Sequence, residues 1–158
     1  MNRKAQTHRP IQPSMSPLLR ALTYSRTSHG PVTQSMLLQC YTALDAFRRG
    51  HGSRELFATL GRYLLVAEEL CRLELQTEVA DYIEAAQAIM VELDAAQKAG
   101  GVWQINDDGY HALCAALEIL AAQLADASLD EITRAESAMV TGLMKAHGMR
   151  EPVAAMRH

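Results

Sequence analysis

Apolar residues recur every three or four positions along most of this 158-residue chain. That spacing places them on one face of an α-helix, whereas a half-buried strand needs strict alternation. Five such stretches between residues 33 and 148 predict five helices. Their core-facing stripes are Met36, Leu37, Cys40, Tyr41, Leu44 and Phe47; Leu56, Phe57, Leu60, Tyr63, Leu64, Ala67, Leu70 and Cys71; Val79, Tyr82, Ile83, Ala86, Ile89, Met90 and Leu93; Tyr110, Leu113, Leu117, Leu120 and Leu124; and Ile132, Ala135, Met139 and Leu143.

Residues that cap or break helices set the predicted boundaries. Serine, threonine, asparagine and aspartate side chains accept hydrogen bonds from the free N–H groups of a first helical turn. The predicted caps are Thr33, Ser53, Thr77, Asn106 or Asp107, and Ser128 with Glu131 as a capping box. The first three helices are predicted to end at Arg49, about Leu75 and Lys98. Gly61 lies inside the second helix at a cost of about 1 kcal/mol, which predicts close contact with a neighbouring helix.

The stretch Gly100–Gly109 interrupts the helical pattern and holds the only tryptophan of the chain. Val102, Trp103 and Ile105 alternate with polar residues there, which predicts a short non-helical connection before the last two helices. Trp103 has two predicted roles. It is either an anchor for a binding partner, since aromatic side chains are favoured at interfaces, or a lid across one end of the bundle whose indole N–H donates to a loop carbonyl.

Helices joined by short turns predict an all-α fold with a single four- to five-helix bundle over residues 17–148. Residues 1–16 are polar and basic with two prolines, and they predict a flexible N-terminal arm. Ser16 and Pro17 predict a short helix to about Tyr24, docked by its leucines. Residues 149–158 predict a frayed C-terminal tail. The apolar faces of the second and third long helices are broader than one small core needs.

The net charge of −3 hides an uneven distribution along the chain. Eight basic residues and one acidic residue lie up to Arg54, whereas seven basic and 17 acidic residues follow. This asymmetry indicates an anionic partner or head-to-tail self-association, unless the acidic residues only line solvated helix faces. The predicted nucleic-acid contacts are Arg3, Lys4, Arg9, Arg48, Arg49 and Arg54. The Gly50–Gly52 connection outlines a helix-turn-helix, but both flanking helices look too long and apolar, which favours an ordinary helical hairpin.

Motifs for catalysis are missing from the sequence. It holds no phosphate-binding glycine loop, no nucleophile elbow and no His-Glu-x-x-His pair. His111 and Cys114 have usable metal spacing but no further paired ligands. We therefore expect no enzymatic activity, no cofactor and no metal. Three cysteines within apolar helices indicate a reducing compartment, and neither a signal peptide nor a membrane span is visible, so we expect a cytoplasmic protein.

The segment from Gly101 to about Ala135 resembles a group of short helical proteins from proteobacteria. The residues that carry the resemblance are Gly-Val-Trp-Gln-Ile-Asn-Asp-Asp from Gly101, then Ala116-Leu117, Gln123-Leu124 and Ser128-x-x-Glu131. The resemblance implies an all-α bacterial protein associated with mobile elements, and it implies no activity. Our leading hypothesis is a non-enzymatic regulatory or interaction module that binds another protein or forms a homodimer. The alternative is a nucleic-acid-associated regulatory protein that uses the basic N-terminal third.

Overall fold

A computed structural model of the protein describes residues 29–73 and 77–148. The predicted arm (1–16), the predicted short helix that follows it and the predicted tail (149–158) lie outside these ranges. Five α-helices and one 3-10 turn make up the described chain, without any strand, so the predicted all-α bundle is confirmed. The helices are α1 (Gly30–Arg48), α2 (Arg54–Arg72), α3 (Ala80–Lys98, preceded by the 3-10 turn Thr77–Val79), α4 (Asp107–Asp126) and α5 (Leu129–Gly148).

The first four helices form an up-and-down bundle. Helix α1 packs against α2 and α4, and α3 also packs against α2 and α4, so the four close a ring around one core. Short connections make consecutive helices antiparallel. Helix α2 also contacts α4 across the core, and α5 packs on α2 from outside the ring. Helix α2 therefore contacts all four other helices.

The central position of α2 explains its broad apolar face. Leu64 is fully buried within the bundle, and Val66 is also fully buried although it lies about 200° further around the helix. Helix α2 is thus buried on two sides, by the four-helix core and by α5. The expectation that its apolar surface exceeds the needs of the core is wrong, because α5 covers the remainder.

Three helix starts use the predicted caps. The Ser53 hydroxyl accepts a hydrogen bond from the Leu56 backbone N–H at 3.2 Å, which starts α2. At α5, the Ser128 N–H donates to the Glu131 carboxylate at 2.7 Å, and the Glu131 N–H donates to the Ser128 hydroxyl at 3.2 Å. This reciprocal pair is the predicted capping box. Asn106 caps α4 in the same way, through the Gly109 N–H at 2.8 Å.

The predicted cap at Thr33 is wrong. Helix α1 begins at Gly30 and holds Pro31 in its first turn, where the fixed backbone angle of proline suits a helix start. Thr33 lies inside the helix, and its hydroxyl donates to the carbonyl oxygens of Gly30 at 3.0 Å and His29 at 3.3 Å. Because its own helix satisfies the hydroxyl, Thr33 can be buried. Likewise, Thr77 opens a 3-10 turn, and the α-helix proper starts at Ala80.

Two further expectations about packing are corrected by the structure. A Cβ atom added to Gly61 would meet only the Met90 methyl group, at 3.9 Å, which is ordinary van der Waals contact. Gly61 is therefore not required by a close helix approach. Tyr41 and Tyr82, which the apolar stripes placed toward the core, are 42% and 56% exposed. In the described part of the chain, no helix combines the length and apolarity that a bilayer-crossing segment requires.

Candidate functional site

Helix α5 has two halves with different surroundings. Its first half is fixed by the Ser128–Glu131 capping box and buries Ile132, Ala135 and Met139. Every residue of its second half, from Val140 to Gly148, is exposed. A helix that packs against a neighbour along its whole length shows a buried residue every three or four positions. The second half, here called the α5 end (residues 140–148), therefore has no buried face.

The α5 end presents an apolar strip to its surroundings. Val140, Leu143 and Met144 are 49%, 45% and 71% exposed, and their spacing of three and four residues places them side by side. A Cβ atom added to neighbouring Gly142 would meet nothing within 4 Å. Leu143 was predicted to face the core, and the structure corrects this. Within the described ranges, these three are part of a set of nine exposed large apolar side chains, and single exposed residues of this kind are common.

The charge of the α5 end is one-sided. Residues 137–148 contain no Asp or Glu, whereas Lys145 and His147 supply basic groups. Basic side chains are favourable near a helix C-terminus, where backbone carbonyls point outward. The α5 end thus combines an exposed apolar strip with cationic groups, which is the chemistry of a helix that docks into an apolar groove with an acidic rim.

Trp103 lies at the end of the bundle where α1 connects to α2. The start of α5 lies at the other end. Its ring centroid lies 5.2 Å from that of Phe57 and 6.4 Å from that of Phe47. The Ile105 N–H donates to the Phe47 carbonyl at 3.2 Å, which ties the connection to α1. The half-buried indole therefore lies as a lid, although its N–H donates to no residue in the described ranges. Its role as an interface anchor stays a prediction.

The structure brings together three of the predicted nucleic-acid contacts. Arg48, Arg49 and Arg54 flank the connection between α1 and α2, and Arg3, Lys4 and Arg9 lie outside the described residues. Each of the three has a partner in the chain: the Arg48 guanidinium lies 4.2 Å from the centre of the Tyr110 ring, Arg49 Nε lies 3.0 Å from Asp45, and Arg54 Nη1 lies 4.0 Å from Asp94. Acidic groups therefore alternate with basic groups at this end of the bundle.

A hydrogen-bonded contact also joins the two helices that flank the Gly50–Gly52 connection. Arg62 donates to the Tyr63 hydroxyl at 3.0 Å, and that hydroxyl donates to Gln39 on α1 at 3.0 Å. This contact joins two antiparallel helices of 19 residues each. Helices of that length in contact along their sides form the helical hairpin that we favoured.

In the described part of the chain, burial disfavours the reactive form of two cysteine side chains. Burial raises the pKa of the Cys40 thiol to about 12, and burial also raises the pKa of Cys71, against a lowering hydrogen bond from Gln123. A raised pKa disfavours the thiolate, which is the nucleophilic form. No group of three or more His, Cys, Asp or Glu side chains in residues 29–73 and 77–148 is placed to hold a metal ion.

Sequence patterns gave no separate signal for the α5 end. Leu143 continues the same stripe as the buried Ile132 and Met139, and periodicity does not show where a neighbouring helix stops covering it. Comparison of the chain with protein-family models, curated proteins and solved structures finds no match.

Proposed function

We propose that this protein is a cytoplasmic, non-enzymatic protein-binding module whose docking element is the α5 end. The observation that supports the proposal is the loss of any buried face from Val140 onward, in a helix whose first half is packed on α2. The helix continues for nine residues that add nothing to the core. Such a segment is suited to a partner that supplies the missing face.

The apolar strip gives this docking element its driving force. Removing apolar surface from water stabilises a complex by about 25 cal/mol per Å², so a fully buried Leu or Met side chain contributes about 1.5–3 kcal/mol. Val140, Leu143 and Met144 together form a compact set of anchors. Helices recognised in grooves use anchors at this same spacing of three and four residues.

The test is a matched set of variants in partner capture. The double variant Leu143→Gln/Met144→Gln removes the strip while keeping good helix formers, and Thr141→Gln alters an exposed residue between Val140 and the strip's remaining members. Partners captured from the source cell by the wild-type chain are purified and titrated calorimetrically. We expect the double variant to bind at least about tenfold more weakly, a loss of about 1.4 kcal/mol, with Thr141→Gln unchanged. Equal affinities of all three chains would contradict the proposal.

The alternative function is binding of nucleic acid by the basic N-terminal third. The observation in its favour is that Arg48, Arg49 and Arg54 lie at one end of the bundle, while their partners Asp45 and Asp94 weaken it. The test is fluorescence anisotropy of a labelled duplex with the full chain, the triple arginine-to-glutamine variant and a chain lacking residues 1–16. We expect the triple variant to bind no more weakly than the wild type. A steep loss of binding with salt, about −0.9 in log–log slope per phosphate contact, together with collapse in both variants, would favour the alternative.

A further inference from the structure

A shallow apolar groove lies between the start of α3 and the middle of α4. Its lining residues are Val79, Tyr82, Ala115, Glu118, Ile119 and Ala122. Ala115 and Ala122 are seven residues apart on α4, so two small side chains repeat along one side of the helix over about two turns. Tyr82 stands beside them with 56% of its surface exposed. Small residues beside a projecting aromatic side chain leave a concave surface, which an apolar helix fits.

The surroundings of this groove are acidic. Residues 77–97 and 107–126 contain no Lys or Arg. Glu118 lies in the groove itself, and Glu78 and Asp81 are the sequence neighbours of its two α3-side residues. The α5 end is the reverse, since residues 137–148 contain no acid. The groove and the α5 end are therefore complementary in both apolar character and charge.

We propose that the α5 end of one copy of this protein docks into the α3–α4 groove of a second copy. This inference rests on the proposed function and names its partner. The contact is between copies because α5 is held on α2 by its buried Ile132, Ala135 and Met139, whereas the groove lies between α3 and α4. The strip of Val140, Leu143 and Met144 enters the groove, and Lys145 lies toward the acidic rim.

The size of this contact sets its strength. Nine helical residues against a shallow groove bury less surface than the roughly 1,200 Å² at the lower limit of standard interfaces. We therefore expect a dissociation constant of about 10–100 μM between copies. A contact between two different surfaces leaves a free groove and a free α5 end on each pair, so it either repeats along a chain of copies or closes into a ring. Association must rise with protein concentration.

The decisive experiment uses complementation between two blocked variants. Leu143→Gln/Met144→Gln blocks the α5 end, and Tyr82→Gln blocks the groove at an exposed position. Sedimentation equilibrium of the full-length chain from about 5 to 500 μM should show mass rising above the monomer, and each variant alone should associate at least tenfold more weakly. An equal mixture of the two variants should form a one-to-one pair and nothing larger, because each supplies the surface that the other lacks.

Matched controls distinguish this contact from general loss of solubility or fold. Thr141→Gln alters an exposed residue of the α5 end, and Val91→Gln alters an exposed α3 residue about 180° around the helix from Tyr82. Both should associate like the wild type. Lys145→Glu should weaken association at low salt, and mixing it with Glu118→Lys should restore it, since the charges are then exchanged.

Three results would overturn the inference. The first is a wild-type chain that stays monomeric at all concentrations. The second is association that survives both blocked variants. The third is a chain that associates only when residues 1–28 are deleted. That result would indicate that residues 1–28 occupy the groove in place of a second copy. A monomeric chain whose capture of another protein still depends on Leu143 and Met144 would overturn this inference alone, whereas loss of that dependence would remove the proposed function as well.

Discussion

Gly52 is the position where one added methyl group should do the most damage. A Cβ atom there would lie 2.3 Å from Phe47 Cδ1, 2.5 Å from Phe47 Cε1 and 2.6 Å from Trp103 Cβ. Carbon atoms in contact prefer separations of about 3.5–4.0 Å, so each contact is too short by about an ångström or more. The Phe47 ring is fully buried and cannot yield without disturbing the core. The half-buried Trp103 lid must move outward instead.

The magnitude of the effect follows from those three contacts. Forcing an extra carbon into a well-packed site costs about 1–3 kcal/mol. Displacing Trp103 also weakens its ring contact with Phe57, and aromatic pairs contribute about 0.5–1.5 kcal/mol beyond their buried area. We therefore expect Gly52→Ala to lower the free energy of unfolding by about 2–4 kcal/mol. For a chain of this size, that corresponds to a fall in melting temperature of about 5–15 °C.

The assay uses Trp103 itself, because no other tryptophan contributes to the emission. Urea unfolding followed by fluorescence should give a lower midpoint for Gly52→Ala, and the emission of the folded variant should shift to longer wavelength as the indole meets more water. Gly61→Ala is the matched control, since the same methyl group there meets only the Met90 side chain at 3.9 Å. A Gly52→Ala variant with the wild-type midpoint and emission would refute the packing described for the lid.

Three further outcomes follow from the same structure. Gly61→Ala should raise stability by about 0.5–1 kcal/mol, because alanine restores helix propensity without a steric clash; an unfolding midpoint at or below the wild-type value would contradict this. Hydrogen bonds from the Ser128 N–H and hydroxyl lower the pKa of Glu131 from 4.5, so its stabilising contribution is full above that pH and disappears as the pH falls through the lowered pKa. Glu131→Gln should accordingly lower the melting temperature at pH 7 and approach the wild type in acid. Leu143→Gln should leave the unfolding free energy within about 0.5 kcal/mol of the wild type, and a larger loss would show that the α5 end is packed.

Local chemistry explains which helix boundaries were predictable. Ser53 and the Ser128–Glu131 pair act through hydrogen bonds to backbone atoms three residues away, so the sequence alone holds all the participants. Thr33 has the same side-chain chemistry as a cap, but Pro31 starts the helix earlier, and the buried hydroxyl bonds backward to its own helix. A cap prediction fails where a neighbouring signal of a different kind sets the helix start.

The candidate site depended on information that periodicity does not contain. Met139 and Leu143 are one turn apart in the same stripe, yet Met139 is 5% exposed and Leu143 is 45% exposed. What separates them is where the packing of α5 on α2 ends, which only the three-dimensional arrangement shows. Val66 is the opposite case, a residue outside the predicted apolar stripe of α2 that is nevertheless fully buried. It lies on the side of α2 that faces away from the four-helix core, and α5 packs on α2 from outside that core.

The folded structure changes the interpretation of the uneven charge distribution along the chain. At the surface of the bundle, Arg49 and Arg54 lie beside Asp45 and Asp94, and Arg48 lies over the Tyr110 ring, so acidic groups stand among these arginines. Acidic residues without Lys or Arg as sequence neighbours lie elsewhere, at the start of α3 and along α4, and the α5 end holds no acidic residue. Charged groups that are not paired within one molecule remain available to select a second molecule by charge complementarity. For this reason, we expect contact between copies, rather than binding of nucleic acid, to use the asymmetry.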